Sequence, residues 1–355
     1  MSKQVTFLCM ISQPVSMKSW KIAATALIAF ALIFVVFSAG CTQSSGSSSA
    51  ANGTPVTTLR IGYQPSTHQM AEITAMNKGW WEQDLAPYGV KNVTTTVFPT
   101  GAPEMQAMLA GDLDVAYVGA APVLSAVSTG LDAKIIAGVN TQGSDLVVRN
   151  DLDYKGPESL KGLKIATFQV GTIQDTILRN WLQAHNVTPD KDVTIVGMGP
   201  GDAVTAMVAG KVDGVFLPHP SPAVIIDQGK GKTVVQSGEM YPNHTCCVLV
   251  VSGKLIREHP EIVTQILKTH EKAVAWNEAN LEEAAEIYSK STGTKLSDVQ
   301  DSLKEWDGKW ATDPNVIVDS VVDYANIQYN LGYITTPLTK DQLFDLSFYN
   351  KTVTA

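Results

Sequence analysis

Two stretches of this 355-residue chain repeat one another, and that repetition limits the fold more than any other feature. Met108-Leu-Ala-Gly-Asp-Leu-Asp-Val-Ala-Tyr and Met207-Val-Ala-Gly-Lys-Val-Asp-Gly-Val-Phe agree at four of ten positions. Leu59-Arg-Ile-Gly-Tyr likewise parallels Leu163-Lys-Ile-Ala-Thr. Each copy reads as a helix stopped by Ala-Gly, then an aspartate, then an apolar strand, because glycine tolerates the left-handed turn that ends a helix. Around the first copy, strands are predicted at 59–63, 93–98, 115–118 and 134–139, with helices between them. Around the second, strands are predicted at 163–167, 193–196 and 212–217. Alternation at this spacing implies two α/β lobes with mostly parallel sheets. Beyond Lys254 the apolar spacing turns helical to the end of the chain.

The first forty residues stand outside that pattern. Residues 22–39 form a nearly unbroken apolar run, Lys18 and Lys21 precede it, and no acidic residue occurs before position 41. This is the layout of an export signal. Ser38-Ala39-Gly40-Cys41 places small residues before a cysteine, as a lipobox does, so Cys41 is the expected lipidation site. An uncleaved membrane anchor is the alternative. Either way the lysines hold the N-terminal end inside and the body lies outside. Met17 offers a second possible start. Residues 41–58, rich in serine and uncharged, read as a flexible linker. The expected domains are therefore 1–40 signal or anchor, 41–58 linker, 59–148 lobe 1, 149–240 lobe 2, and 241–355 a return to lobe 1 with C-terminal helices.

Charge and cysteine usage exclude several classes. The net charge is −8 with no Lys/Arg cluster, which argues against a nucleic-acid partner. Only Cys246 and Cys247 lie in the body, so neither a disulfide scaffold nor a zinc ribbon is expected. No second long apolar run exists, so the chain is not a polytopic permease. Neither G-x-S-x-G nor H-E-x-x-H occurs, and no enzyme activity, cofactor or resident metal is expected.

Three motif groups carry a family resemblance. They are Ile61-Gly-Tyr-Gln with Asn77-Lys-Gly-Trp-Trp-Glu, then Ala110-Gly-Asp-Leu-Asp-Val-Ala closing on Gly119-Ala-Ala-Pro, then Ser159-Leu-Lys-Gly-Leu-Lys-Ile-Ala with Gly171-Thr and Ala209-Gly-Lys-Val-Asp. In this the chain resembles the type II periplasmic solute-binding proteins of the nitrate/sulfonate/taurine group. The resemblance implies two hinged lobes closing on a small molecule, with hinges near 149–155 and 239–245. It also implies ABC permease and ATPase partners, and a location on the outer face of the cytoplasmic membrane. An enzyme on the same fold and a sensor ectodomain are the competing classes, and the export signal speaks against the first.

Ligands of open α/β sheets sit beyond the carboxyl ends of strands. That rule selects Tyr63, Gln64 and His68 after the first strand, Gly119 and Ala120 after the third, and Gln142 and Ser144 after the fourth. In the second lobe it selects Gly171, Thr172, Pro218 and His219, and His244 is added from the second hinge. Small residues before helix starts expose backbone N–H groups, which suit anions. No Asp or Glu occurs in these loops before Asp145. The expected ligand is a small oxyanion, with an organosulfonate first, nitrate or bicarbonate next, and a thiamine precursor as a further alternative. His185, His259 and His270 are expected to be solvated, and Trp80-Trp81 to pack in the core. Alternation along a strand places one of Cys246 and Cys247 in the core and one in the cleft. A vicinal disulfide and a metal site with His244 are the other readings.

Overall fold

The computed structural model describes residues 53–353. The apolar run at 22–39 and Cys41 lie outside the described residues. Among those described, no helix is long and apolar enough to cross a membrane.

Eleven described strands make two sheets. β1 (Thr58–Tyr63), β2 (Asn92–Val97), β3 (Val115–Gly119), β4 (Ala133–Thr141), β10 (Thr245–Ser252) and β11 (Lys309–Trp310) form the first. Its order is β11-β4-β10-β3-β1-β2. β5 (Ser144–Val148), β6 (Lys164–Thr167), β7 (Thr194–Gly197), β8 (Gly214–Pro218) and β9 (Lys232–Gln236) form the second, in the order β7-β6-β8-β5-β9. The sequence repeat is a repeat of topology, since β2-β1-β3 and β7-β6-β8 are the same parallel arrangement. Gly111 and Gly210, the matched Ala-Gly glycines, both take positive φ (82° and 65°) and end equivalent helices.

The sheets are less parallel than expected. β10 runs antiparallel to β3 and β4, and β5 runs antiparallel to β8 and β9. The reason is the crossover. β5 enters the second sheet from the first, and β10 returns to the first from the second, so each inserts against the local direction. The first crossover is Gln142-Gly143, directly between β4 and β5. The expected hinge at 149–155 follows β5 and therefore falls inside the second lobe. The chain returns through a short helix, Ser237–Met240, and reaches β10 at Thr245.

Both faces of the first sheet are covered, which is why its strands read as continuous apolar runs. Val115, Ala116, Tyr117 and Val118 are wholly buried, as are Val248 to Val251. Trp81 is buried against Tyr117, while Trp80 is half-buried against Trp276. His259 and His270 are buried rather than solvated. His270 sits on the long helix Pro260–Ala279, with Nδ1 3.1 Å from the Tyr117 hydroxyl and Nε2 2.9 Å from the Gly138 carbonyl oxygen. His259 Nε2 meets the carbonyl oxygen of Thr54 at 2.9 Å. Helical spacing alone did not show that the first sheet covers this face.

Candidate ligand cleft

The two crossovers meet at one carboxylate. Gly143 N–H donates to Asp307 Oδ1 at 2.8 Å, and Gly238 N–H donates to Asp307 Oδ2 at 2.6 Å. Gln142 adds a second tie, donating from Nε2 to the Asp307 carbonyl (2.8 Å) and accepting at Oε1 from Asn243 N–H (2.7 Å). Gln142 and Gly143 both take positive φ, 55° and 91°. A Cβ on Gly143 would lie 2.6 Å from His68 Nε2, so the crossover closely abuts the cleft.

Between the sheets lies a cavity of about 30 Å³. That is room for a water molecule or two. From the first lobe, Gln64, Ser66, His68, Gly119, Cys246 and Cys247 line it. From the second come Phe168, Gln174, Pro218, His219 and Ser221. No lysine or arginine is among the lining residues. Three helices of nine residues or more, Ala120–Ser128, Ile173–Ala184 and Pro200–Val208, begin at its wall. Helix N-termini carry partial positive charge and unpaired N–H groups.

Five of the residues selected from sequence line this cavity, namely Gln64, His68, Gly119, Pro218 and His219. The others are placed elsewhere. Tyr63 is half-buried beside the cleft, and Ala120 is buried in the first turn behind Gly119. Gln142 serves the crossover. Ser144 is buried, its N–H donating to Ser237 Oγ (3.1 Å) and its hydroxyl accepting from Gln174 Nε2 (3.1 Å). Gly171 N–H is taken by Asp175 Oδ2 at 3.2 Å, and Thr172 caps its own helix by accepting from Asp175 N–H. The backbone N–H expected to face an anion at Gly171 is therefore engaged by a carboxylate. His244 is buried with Nδ1 2.9 Å from the Tyr324 hydroxyl, and desolvation lowers its pKa to about 4.

The polar groups of the cleft are less free than the sequence implied. Gln64 Nε2 donates to Glu104 Oε2 at 2.8 Å. Glu104 is wholly buried, and desolvation pushes its carboxyl well above the usual range. His219 has Nδ1 3.0 Å from Ser302 Oγ and Nε2 3.4 Å from Asp145 Oδ1. An acidic group thus stands beside each of these two side chains, although the loops around Gln64 contain none.

Both cysteines line the cavity, contrary to simple alternation. Thr245 pairs with Thr141 and Cys247 with Asn140, which leaves Cys246 as an extra residue in β10. A bulge of this kind re-aims side chains. Both thiols are free, 3.9 Å apart, and buried. Their mutual hydrogen bond lowers the pKa of Cys247 and raises that of Cys246.

Sequence reasoning missed Gln174, Ser221 and Phe168. For Gln174 and Ser221 the carboxyl-end rule stopped at the last loop residue, and the helix's first turn, one or two positions further, also reaches the cleft, whereas Phe168 directly follows β6 and lay within the rule's reach. Gln174 would have followed from extending the rule by one turn.

Two mixed sheets of this order, joined by two crossovers with a cavity between them, define a periplasmic-binding-protein fold of type II. The chain belongs to the NMT1-like family, whose model matches residues 52–289. It is 27% identical over 336 residues to the putative aliphatic sulfonates-binding protein of Bacillus subtilis, covering 92% of this chain and 95% of that one. In structure it is similar to the alkanesulfonate-binding protein SsuA from Xanthomonas axonopodis pv. citri, with a TM-score of 0.72 and 18% identity over 82% of this chain and 99% of that one. It is also similar to the periplasmic nitrate-binding protein NrtA from Synechocystis PCC 6803, with a TM-score of 0.74 and 19% identity over 84% and 89% of the two chains.

Proposed function

We propose that this chain is the extracytoplasmic solute-binding lipoprotein of an ABC importer, and that it captures a small oxyanion, an organosulfonate in the first place. The carrying observation is the cavity between the lobes, where three helix N-termini converge. Anion recognition there would be local, through backbone N–H groups, Ser66 and Ser221, each helix terminus contributing about 0.3–1 kcal/mol when exposed and up to about 2 kcal/mol when partly buried. Of the residues chosen from sequence, Gln64, His68, Gly119, Pro218 and His219 are the binding candidates that remain. The relative named for aliphatic sulfonates supports the ranking of sulfonate above nitrate. Phe168 and the prolines of the second lobe offer an apolar wall for an organic tail. A cavity of about 30 Å³ holds no alkanesulfonate, so the lobes must open to admit one. The protein acts as a carrier, delivering ligand to permease and ATPase subunits, and Cys41 supplies its membrane anchor.

Calorimetry against sulfonates, nitrate, bicarbonate, amines and neutral thiamine precursors tests the ligand class. Tight binding of an amine or heterocycle, with silence from every oxyanion, would overturn it. For the anchor, Cys41→Ala should release the protein from membranes, and a variant that stays membrane-bound at full length would favour an uncleaved anchor.

A further inference from the structure

We infer that His68, Cys246 and Cys247 form a binding site for one thiophilic metal ion of the zinc or cuprous type, inside the cleft. The donor atoms of the three residues lie within 4.8 Å of one another, and all three side chains are buried. Cys246 Sγ is 3.4 Å from His68 Nδ1 and 3.9 Å from Cys247 Sγ. In a tetrahedral zinc site, bond lengths of about 2.3 Å to sulfur and about 2.05 Å to nitrogen put the S···S edge near ~3.8 Å and the N···S edge near ~3.6 Å. Two edges of the triangle therefore already have the size a metal requires, and the third, His68–Cys247, is no longer than 4.8 Å.

Three further observations point the same way. The tautomer of His68 is set by its surroundings. Nε2 lies 2.7 Å from the Gly143 carbonyl oxygen, which only accepts, so Nε2 carries the proton and Nδ1 presents its lone pair to Cys246. A metal-binding histidine is commonly held in this way, with its other ring N–H on a backbone carbonyl. The bulge at Cys246 turns adjacent strand residues toward one point, which regular alternation forbids. Amide donors then stand behind both sulfurs: Gln69 Nε2 is 3.5 Å from Cys247 Sγ, and Gln174 Nε2 is 3.8 Å from Cys246 Sγ. Such donors orient the sulfurs as outer partners of metal ligands do.

The donor set selects the ion. Two sulfurs and one imidazole suit zinc and cuprous copper, and exclude magnesium and calcium, which take oxygen ligands. On binding, both cysteines become thiolates and release their protons to solvent. Three protein ligands leave a coordination position free, and the cavity is where an exogenous donor would enter. The histidine differs from the one in the alternative metal reading of the sequence, since His244 is occupied by Tyr324. The site requires only these three side chains and stands whether or not the cleft also takes an oxyanion.

The test uses the full chain in detergent, stripped of metal and kept reduced, titrated with Zn²⁺ and, under anaerobic conditions, with Cu⁺. One equivalent should bind per chain. Cys246→Ser and Cys247→Ser should each weaken binding by more than ~100-fold, beyond the roughly 10–100-fold that loss of an outer partner costs. His68→Gln should also weaken it, and Gln174→Ala by a smaller factor. Co²⁺, added to the wild-type chain as a spectroscopic stand-in for zinc, should give thiolate-to-metal charge-transfer absorption. That readout needs no variant and decides the matter should a variant fail to fold. Binding that is unchanged in the Cys246→Ser/Cys247→Ser double variant, or a Co²⁺ adduct without thiolate bands, would overturn the proposal. Sulfonate calorimetry on metal-free protein is a separate arm, so failure of the oxyanion reading and failure of the metal site are distinguishable.

Discussion

His68 Nε2 lies 2.7 Å from the carbonyl oxygen of Gly143, joining a cleft side chain of the first lobe to the crossover that leads into the second. The imidazole also packs 5.5 Å from the Trp306 ring, next to the Asp307 that ties both crossovers. Any rotation about the crossover therefore moves the group against which His68 is set. Hinge and cleft are mechanically linked at the Gly143 carbonyl, which also accepts from the backbone N–H of the cleft residue His219 at 3.1 Å.

Gly143→Ala should be more damaging than its size suggests. Its φ of 91° is unfavourable for any side chain, and the added Cβ would lie 2.6 Å from His68 Nε2. A loss of about 1–3 kcal/mol in urea unfolding is expected, together with weakened ligand binding. A variant as stable and as tight-binding as the wild type would show that the crossover does not constrain His68.

Asp307→Ala removes the acceptor for two backbone N–H groups, one from each crossover. Stability should fall by about 1–3 kcal/mol. X-ray scattering of the ligand-free protein should also show a wider spread of lobe orientations. Asp307→Asn, which keeps one carbonyl oxygen, should fall between the two.

Tyr333→Phe tests closure. The Tyr333 hydroxyl, from the C-terminal region, donates to Asp175 Oδ2 in the second lobe at 2.7 Å, beside the Gln328 Nε2 to Gly171 carbonyl bond at 3.0 Å. A hydrogen bond to a charged acceptor is worth about 1.5–3 kcal/mol. If it forms only on closure, its loss weakens ligand binding about tenfold or more and favours open lobes in scattering. Unchanged affinity would place this bond in both states.

Stability should depend on pH through four buried groups, two of each sign. Desolvation lowers His244 and His270 to about 4. The unfolded chain protonates them below about 6.5, so stability is complete above that value and falls as pH drops toward 4. Glu72 is wholly buried without a partner, and desolvation raises its carboxyl to about 8. Its contribution is complete below the ordinary glutamate pKa and is lost as pH rises to 8. Glu104, also raised, has the same sign, and Tyr63 and Tyr117 are the other titratable groups close to Glu72. Between pH 6.5 and 8 only the acids act, so the urea midpoint should fall over that interval, and Glu72→Gln should reduce the slope. An identical slope in the variant would remove Glu72 from this account.

The repeat of Met108-Leu-Ala-Gly in Met207-Val-Ala-Gly made the two-lobe plan legible, because helix stops and apolar strands are local events written in consecutive residues. The carboxyl-end rule then found Gln64, His68, Gly119, Pro218 and His219, since strand ends and helix starts are local too. What the sequence could not decide depends on residues distant along the chain. The crossover at Gln142-Gly143 is set by which sheet accepts β5, a pairing with β8 and β9 rather than a property of Ser144 to Val148. The burial of His270 depends on Tyr117 and Gly138. The convergence of His68 with Cys246 and Cys247 depends on a bulge against Asn140 and on a carbonyl at Gly143. Sequence alone determined the periodicity, the punctuation and the residue types near the strand ends. Tertiary structure decided which side chains share a cavity and which are already engaged, because hydrogen bonds between distant segments form only once the sheets have packed.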